Sequence, residues 1–328
     1  MPSSGGNPIL RKCVWFGLLF LCISGATLGV HYVYSHQYAF NMLLRHGPFF
    51  WTSIQRDDPR LSPAIRLALG QAHWKAVPGR FEWHTVDRGF AVAELPVLVD
   101  DKEIDRMLLA RIDPADFRFI VRNSPAGNDV DEWMQQLGAA LVVNGSYFAP
   151  NGTPATPIVS GGRVLGPTSY DAKHGAFIAA PGFATVDDLH NRNWRDALDG
   201  ASDAMVSYPL LITKDGTNRV TANRDWLANR SFVGQDASGH IIIGTTADAL
   251  FSLDRLAEFL QQAPLNLTIA LNLDGGGVAC QGIAVKDYRR TFCGKWELNT
   301  RDGGLKVFTW TYGDRPWALP IALAAVRK

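Results

Sequence analysis

The chain has 328 residues, of which 47% are hydrophobic and 19% are charged, so it can bury the core of one large globular domain or two small ones. Its 32 lysines and arginines balance 31 aspartates and glutamates, which gives a formal net charge of +1. This balance argues against a nucleic-acid-binding protein, and we expect no nucleic-acid partner. The 31 glycines and 18 prolines indicate many turns, which favours a strand-rich fold over a helical bundle.

The first element in chain order is a hydrophobic segment. Arg11 and Lys12 precede an uncharged run from Cys13 to Val30, and the next basic residue is Arg45. The length of the run and the asymmetry of positive charge predict a transmembrane signal anchor over 13–34, with the bulk of the chain in the periplasm or outside the cell. The alternative is a secreted protein, cleaved near Ala26 where small residues suit a signal peptidase.

The remaining boundaries follow from breaks in composition. We predict a cytoplasmic N-terminus over 1–12, a juxtamembrane spacer over 35–79 and one folded domain over 80–328. Within the spacer, the pattern of Pro63–Leu69 predicts a short helix that ends at Gly70.

Beyond residue 80, short apolar or β-branched segments recur between turn signals, which predicts strands. The segments that show this pattern are Phe90–Val99, Arg118–Arg122, Leu141–Val143, Gly175–Ala180, Leu210–Thr213, His240–Thr246 and Thr268–Leu273.

Two segments have the apolar spacing of amphipathic helices, 128–138 and 252–262. Asn128 or Asp129 can cap the first helix and Ser252 the second. Each helix is followed by an apolar strand that ends in an Asn-Gly or Asp-Gly turn. The sequence therefore predicts an α+β fold, a mixed β-sheet core with helices packed on it and two pseudo-repeated helix–strand units. Loops at such strand ends are common ligand sites.

The sharpest chemical signal is the segment Asn272-Leu-Asp274-Gly275-Gly276-Gly277. Asn272 and Asp274 are two residues apart on a strand, so they project from the same face. The glycines permit positive φ and leave backbone N–H groups accessible to an anion or a sugar. The alternative is a glycine-rich turn in which Asp274 caps its own backbone.

Four other segments of the chain contain candidates for binding groups. Asn144-Gly145 ends a strand and is either a turn or part of a site, and Tyr147 beside it is either core or a wall for a sugar ring. Arg230 enters a buried-looking strand, where its guanidinium could clamp an anion. Lys173 and His174 are weaker anion-site candidates, and Asp215-Gly216 is most simply a hairpin turn.

Two cysteines lie in the part of the chain that we expect to be exported. Cys280 and Cys293 stand 13 residues apart, and an oxidising compartment would permit a disulfide between them. Two unpaired buried thiols are the alternative. No Cys or His spacing matches a zinc site, and no pattern in the chain requires a metal or another cofactor.

The order of these motifs resembles the phosphodiester-glycosidase family, from roughly Trp83 to the C-terminus. The segments that carry the resemblance are Asn144-Gly-Ser-Tyr-Phe, Ser160-Gly-Gly-Arg-Val, Gly175-Ala-Phe-Ile, Ser207-Tyr-Pro-Leu-Leu-Ile-Thr-Lys-Asp-Gly, Asn229-Arg-Ser-Phe-Val-Gly and Leu271-Asn-Leu-Asp-Gly-Gly-Gly. Val278 stands where the family usually has serine. The resemblance implies a hydrolase that removes a sugar, such as N-acetylglucosamine, from a phosphodiester.

The resemblance also implies roles for individual residues. Asp274 would be the proton-transferring carboxylate, Arg230 the phosphate clamp, and Asn144 and Asn272 ligands of the sugar or phosphate. Substrate contacts are expected from Gly145, Tyr147, Lys173, Asp215, Gly275, Gly276 and Gly277. Asp215 is the one candidate for a second catalytic carboxylate. Because fold does not fix function, a non-catalytic glycan-binding or envelope-assembly protein is the alternative.

Overall fold

The structure, a computed structural model, describes residues 8–35, 40–44, 50–54, 61–70, 73–217, 219–220, 225–299, 304–307 and 317–328. Side chains are described for 14–30, 61–68, 73–217, 219–220, 225–299 and 317–328. Most of the predicted N-terminal segment 1–12 and parts of the predicted spacer 35–79 therefore lie outside the described residues.

The described residues form five helices, α1 Pro8–Ser35, α2 Pro63–Gly70, α3 Val130–Leu137, α4 Trp194–Leu198 and α5 Leu253–Gln262. They also form strands β1 Phe40–Leu44, β2 Phe50–Ile54, β3 Val77–Pro78, β4 His84–Asp87, β5 Phe90–Val99, β6 Lys102–Ile112, β7 Phe117–Asn128, β8 Leu141–Asn144, β9 Ile158–Ser160, β10 Arg163–Leu165, β11 Gly175–Ala180, β12 Phe183–Asp188, β13 Asp203–Ser207, β14 Leu210–Ile212, β15 Trp226–Ala228, β16 Ser231–Asp236, β17 Ile241–Thr246, β18 Leu267–Asn272, β19 Cys280–Val285, β20 Tyr288–Cys293, β21 Trp296–Asn299, β22 Gly304–Val307 and β23 Leu319–Arg327.

The strands form four sheets. The largest has the order β14-β18-β16-β17-β6-β5-β3, with β4 also paired to β5. The others have the orders β20-β19-β8-β23-β7, β10-β9-β13-β11-β12 and β15-β21-β22-β1-β2. Apart from β1 with β22, the recorded pairings are antiparallel. The predicted α+β class is confirmed in a sheet-rich form. Among the described residues, the sheet that contains β1 and β22 is mixed, and the other three sheets are antiparallel.

The largest sheet is buried on both faces. One face packs against α2 and α5, where Phe232 of β16 meets Phe259 of α5 in the same apolar cluster. The other face packs against the two sheets that contain β8 and β11, with Leu271 and Phe177 in a second cluster. Because successive side chains of a strand point to opposite faces, β18 contributes Ala270 to the first cluster and Leu271 to the second. Burial on both faces explains why its sequence is almost continuously apolar.

Both predicted helix–strand units are present. In α3, Asp129 and Glu132 form a capping box, and Gly138 ends the helix in the left-handed conformation with φ 56°. In α5, Ser252 occupies the N-cap position, but its hydroxyl donates to Asp254 Oδ1 at 2.5 Å and makes no capping bond to the backbone. The strands that follow, β8 and β18, lie in different sheets, and their ends meet at the site described below.

Helix α1 occupies the segment for which the anchor over 13–34 is predicted. Among the residues that the structure describes, no helix has both the length and the apolar character needed to cross a membrane. The anchor therefore stays a prediction.

Two buried carboxyl groups meet next to strands β6 and β17. Asp105 and Asp248 are 5% and 8% exposed, and the Asp248 N–H donates to Asp105 Oδ1 at 2.8 Å. Burial, followed by the charge of Asp248, raises the pKa of Asp105 well above its ordinary value, and burial raises the pKa of Asp248 to about 6. The folded pair therefore binds protons more tightly than the unfolded chain does.

We expect Asp105→Asn to stabilise the protein at pH 8 by about 1 to 3 kcal/mol and to bring no gain at pH 4. The raised pKa of Asp105 means that the wild-type stability from its protonated form is present below about pH 4 and is lost as the pH rises. Asparagine keeps the Oδ1 acceptor for the N–H groups of Arg106 and Asp248. Urea denaturation at both pH values measures the difference, and an equal effect at the two values would contradict this explanation.

Candidate active site

Several elements converge where β8 and β18 end. The turn Asp274–Val278, here called the Asp274 loop, follows β18 and includes a short 3-10 helix at Gly276–Val278. Its backbone is held from two sides, because the Asp274 N–H donates to Gly145 O at 3.1 Å and the Gly276 N–H donates to Asn229 O at 2.9 Å. The loop is thus fixed between the end of β8 and the segment that enters β16.

Asn144 supports the Asp274 loop from within. Its side chain is 2% exposed, and its Nδ2 donates to the carbonyl oxygens of Asp274 at 2.8 Å and Gly145 at 3.2 Å. Its Oδ1 accepts the N–H of Cys280 at 3.1 Å. The amide is therefore occupied by three backbone partners, which fix the position of the loop.

The carboxyl group of Asp274 is partly exposed but poorly solvated. Its Oδ1 accepts the N–H of Gly275 at 2.9 Å. Burial raises the pKa of Asp274 to about 7, while the Gly275 N–H and the charge of Arg230 act to lower it and the charge of Glu297 to raise it. A carboxyl group with a pKa near neutrality can both donate and accept a proton at physiological pH.

Arg230 is buried next to this loop, at 7% exposure. Its Nε donates to Phe251 O at 3.0 Å and its Nη2 to Trp226 O at 2.9 Å. Its Nη1 faces Gly275, where an added Cβ would lie 3.0 Å from that nitrogen. Two of the guanidinium nitrogens are thus fixed by the backbone, so the residue can offer a ligand one rigid edge rather than the full fork that the sequence predicts.

Gly276 and Glu297 are in close contact. Gly276 has a φ of +72°, and a Cβ there would lie 2.8 Å from Glu297 Oε2. Glu297 belongs to β21, opposite Ala228 of β15, which immediately precedes Asn229 and Arg230 in the chain. The sheet therefore brings a second carboxylate to the Asp274 loop.

An aromatic wall lies on the other side of the loop. The rings of Tyr147 and Tyr208 are stacked, with centroids 4.2 Å apart and planes inclined by 19°. Tyr147 OH donates to Tyr208 O at 2.9 Å and accepts from Asn272 Nδ2 at 2.9 Å. Burial raises the pKa values of both tyrosines, so both hydroxyls stay protonated at neutral pH. Asn272 Oδ1 is buried and has no hydrogen-bond partner among the described residues.

Three predicted contributors lie at or outside the edge of this cluster. The His174 ring is 6.0 Å from that of Tyr208, and burial lowers its pKa, so the imidazole is neutral at pH 7. Lys173 is exposed and pairs with Asp171 at 2.7 Å. Asp215 Oδ1 accepts from Thr213 Oγ1 and from the Thr217 N–H, so it closes its own turn, and none of its recorded contacts within the described residues reaches the Asp274 loop.

The two cysteines of β19 and β20 are directly opposite each other in the strand register and are joined by a disulfide. Cys280 is also the residue whose N–H binds Asn144, so the disulfide lies directly behind the site.

Two residues that sequence reasoning did not assign are part of this arrangement. Asn229 is fully buried, and its side chain donates to Thr246 O at 2.9 Å and accepts the Lys295 N–H at 2.9 Å. Glu297 reaches the site only through the pairing of β21 with β15. The only sequence signal for Asn229 is its place before Arg230, and Glu297 has none, because its strand is short and surrounded by polar residues.

Gly276→Ala is expected to destabilise the protein by about 2 to 4 kcal/mol, because strain at positive φ adds to the contact with Glu297. Gly182→Ala is the matched control, since Gly182 has a φ of +78° and nothing within 4 Å of an added Cβ. The control isolates the backbone strain, which we expect to cost about 1 kcal/mol. Chemical denaturation of both variants measures the two values, and equal losses would show that the Gly276–Glu297 contact is not tight.

Known proteins resemble this chain both in sequence and in fold. Residues 137–287 match the model of a family described as phosphodiester glycosidase. Among solved structures, the catalytic domain of zebrafish N-acetylglucosamine-1-phosphodiester alpha-N-acetylglucosaminidase, auto-inhibited by its pro-peptide, is similar with a TM-score of 0.53 and 16% sequence identity. That match covers 78% of this chain and 88% of the zebrafish chain, and it shows a common fold.

A protein of Burkholderia pseudomallei that is described as exported also matches, with a TM-score of 0.40 and 10% identity over 78% of this chain and 97% of its own. No curated protein sequence matches the chain. Residues 137–287 therefore match a phosphodiester glycosidase domain, a hydrolase of the glycosidase class, and the motif order and the convergence of the site agree with that match.

Proposed function

We propose that the protein is an exported hydrolase that cleaves the glycosidic bond of a sugar-1-phosphodiester in an envelope or exported glycan. Asp274 acts as the acid/base, and Arg230 stabilises the anion. The observation that carries this proposal is the position of a carboxyl group with a pKa near 7 beside the fixed guanidinium edge of Arg230.

The reaction breaks the bond between the anomeric carbon and the phosphate oxygen. The bonding electron pair leaves with that oxygen, which takes the Asp274 proton. Water supplies a hydroxyl group to the sugar, and the other proton of the water is released to solvent, from which Asp274 is protonated again. A phosphate monoester is a good leaving group, so the site has mainly to bind the anion and stabilise the oxocarbenium-like transition state. A single edge of Arg230 suits this task, because burial and two backbone acceptors hold it in place before the substrate arrives.

The sugar is expected against the stacked pair Tyr147 and Tyr208. Aromatic faces suit the apolar face of a sugar ring, and the phenol hydroxyls offer polar contacts. Asn272 is the better of the two asparagine candidates for a substrate contact, because its Oδ1 has no partner among the described residues. We assign Asn144 a positioning role instead. The N–H groups of Gly275 and Gly276 already donate to Asp274 Oδ1 and Asn229 O and are not free to bind the substrate. These two glycines instead let the substrate come close to the backbone, because they have no side chain.

Export is part of the proposal. The Cys280–Cys293 disulfide supports a location outside the cytoplasm, because structural disulfides persist in oxidising compartments. We propose that the hydrophobic segment 13–34 either anchors the chain or is removed by cleavage near Ala26. Fractionation of cells that make the full chain tests this, since a reduced protein in the cytoplasmic fraction would contradict both forms of export.

The test of the function is a panel of sugar-1-phosphodiesters and p-nitrophenyl glycosides incubated with the full-length protein. We expect release of the free sugar and the phosphate monoester from at least one phosphodiester, with little activity on p-nitrophenyl glycosides that lack phosphate. Binding of glycan phosphates without hydrolysis would instead favour the non-catalytic alternative. The convergence of Asp274 and Arg230 argues for catalysis, because a binding module needs no desolvated carboxyl group beside its anion site.

A further inference from the structure

We propose that Glu297 is the second catalytic carboxylate of this site and takes the proton of the attacking water. This inference rests on the proposed function and completes it, since one carboxyl group alone does not account for activation of the water. Glu297 lies outside the segment 137–287 that matches the family, so the match assigns it no role.

The geometry places Glu297 across one short turn from Asp274. Glu297 Oε2 lies against Gly276, 2.8 Å from the position of an added Cβ, and Gly276 is two residues from Asp274. The Cα atoms of residues two apart are at most about 7 Å from each other. Paired glycosidase carboxylates are separated by roughly 5 to 9.5 Å, a spacing that such a turn can provide.

The fold also explains why a side chain larger than hydrogen is absent from position 276. Any side chain there would occupy the space between the Asp274 loop and the Glu297 carboxylate. The charge of Glu297 acts on both functional groups of the site, raising the pKa of Asp274 and supporting the protonated state of Arg230. A carboxylate whose charge acts on both Asp274 and Arg230 lies close to both of them.

The other carboxylates near the site fit the role less well. Asp215 is engaged in its own turn and in an ion pair with Arg219. Asp254 is 6% exposed and accepts from Ser252 Oγ at the N-terminus of α5. Neither is recorded in contact with the Asp274 loop in the part of the chain that the structure describes.

In the proposed step, water attacks the anomeric carbon as the bond to the phosphate oxygen breaks. One water proton moves to Glu297, and the leaving oxygen takes the proton of Asp274. The products are the free sugar and a phosphate monoester. Transfer of the proton from Glu297 to solvent, and from solvent to Asp274, restores the starting state, so no oxidant, reductant or further reactant is needed.

The experiment compares Glu297→Ala and Glu297→Gln with the wild type, using the phosphodiester that the wild-type protein hydrolyses. Glu258→Gln, which removes an exposed carboxylate from α5, is the matched control. We expect kcat to fall by about 10²- to 10⁴-fold in both Glu297 variants and to be unchanged in the control. Sodium azide should restore Glu297→Ala at least about tenfold and yield a glycosyl azide, because azide can attack without losing a proton.

Rescue with a glycosyl azide product supports the assignment, since a purely structural role would not respond to azide. Glutamine has nearly the same shape as glutamate, so the Glu297→Gln variant is expected to fold even if Glu297→Ala does not. Thermal denaturation shows whether each variant is folded. Full activity of Glu297→Gln, or a folded but inactive Glu297→Ala that azide does not rescue, would overturn the assignment and leave the proposed function intact. A wild-type protein that is inert on the whole panel would overturn both.

Discussion

Asp274→Asn is expected to lower kcat by about 10³-fold and, at pH 8, to raise the melting temperature of the protein. The loss of activity follows because asparagine cannot transfer a proton. The gain in stability follows because the wild type must either bury a charged carboxylate or hold a proton that the unfolded chain releases. Asparagine keeps the oxygen that accepts the Gly275 N–H, so the loop itself should be undisturbed.

The pH dependence of this gain has a definite sign. The pKa of Asp274 rises from its ordinary value of 3.8 to about 7 on folding. The protonated form therefore contributes stability that is present below about pH 4 and is lost as the pH rises through about 7. The advantage of Asp274→Asn should be near zero at pH 4 and reach on the order of 2 to 4 kcal/mol at pH 8.

Thermal denaturation at pH 4, 6 and 8 measures the effect. Asp287→Asn removes an exposed aspartate from the turn between β19 and β20 and is the control for a general effect of charge. A melting-temperature difference that does not change with pH, or that Asp287→Asn reproduces, would show that Asp274 is ordinarily solvated.

Asn144→Asp is expected to destabilise the protein by about 3 to 5 kcal/mol. The substitution keeps the shape of the side chain, but it replaces the Nδ2 donor by an oxygen that would face Asp274 O, now 2.8 Å away. It also brings a charge to a site that is 2% exposed. The Asp274 loop loses its support, so activity should fall with stability.

The control for this substitution is Asn151→Asp. Asn151 is exposed, and its Oδ1 accepts from the N–H and the hydroxyl of Thr153, which an aspartate would accept equally well. Urea denaturation of the two variants should therefore separate them by at least about 3 kcal/mol. If Asn144→Asp kept full stability and lost only substrate affinity, Asn144 would be a ligand and not a positioning residue.

The strands that could be predicted are those whose apolar residues end at clear turn signals. The bounds of Phe90–Val99 and Gly175–Ala180 agree with the structure. Strand β6 was not predicted, because its first half carries Lys102, Glu103, Asp105 and Arg106. Strand β23 was not predicted either, because Pro320 and several alanines have low strand propensity. It is a buried strand because it lies between β7 and β8 in the sheet. The local sequence does not encode that position.

The residues of the site also fall into those that a local sequence pattern predicts and those that it does not. Asp274 and Arg230 were accessible from the sequence, because a strand end followed by glycines, and an arginine that enters an apolar strand, are local patterns. Glu297 and Asn229 come into place through the pairing of β15 with β21 and through backbone contacts across the sheets, which leave no local pattern. The Asp215-Gly216 pattern predicts a turn, and in the structure Asp215 closes that turn. Its candidacy as second carboxylate came only with the family resemblance.

The central claim is that the bond between the sugar and the phosphate oxygen breaks, with Asp274 transferring the proton. Hydrolysis of a sugar-1-phosphodiester in ¹⁸O-labelled water by the full-length protein, with Asp274→Asn alongside, tests it most directly. We predict that the label appears on the anomeric carbon of the free sugar and that the Asp274→Asn variant, still folded, is about 10³-fold less active. Label in the phosphate group, or undiminished activity of the variant, would contradict the claim.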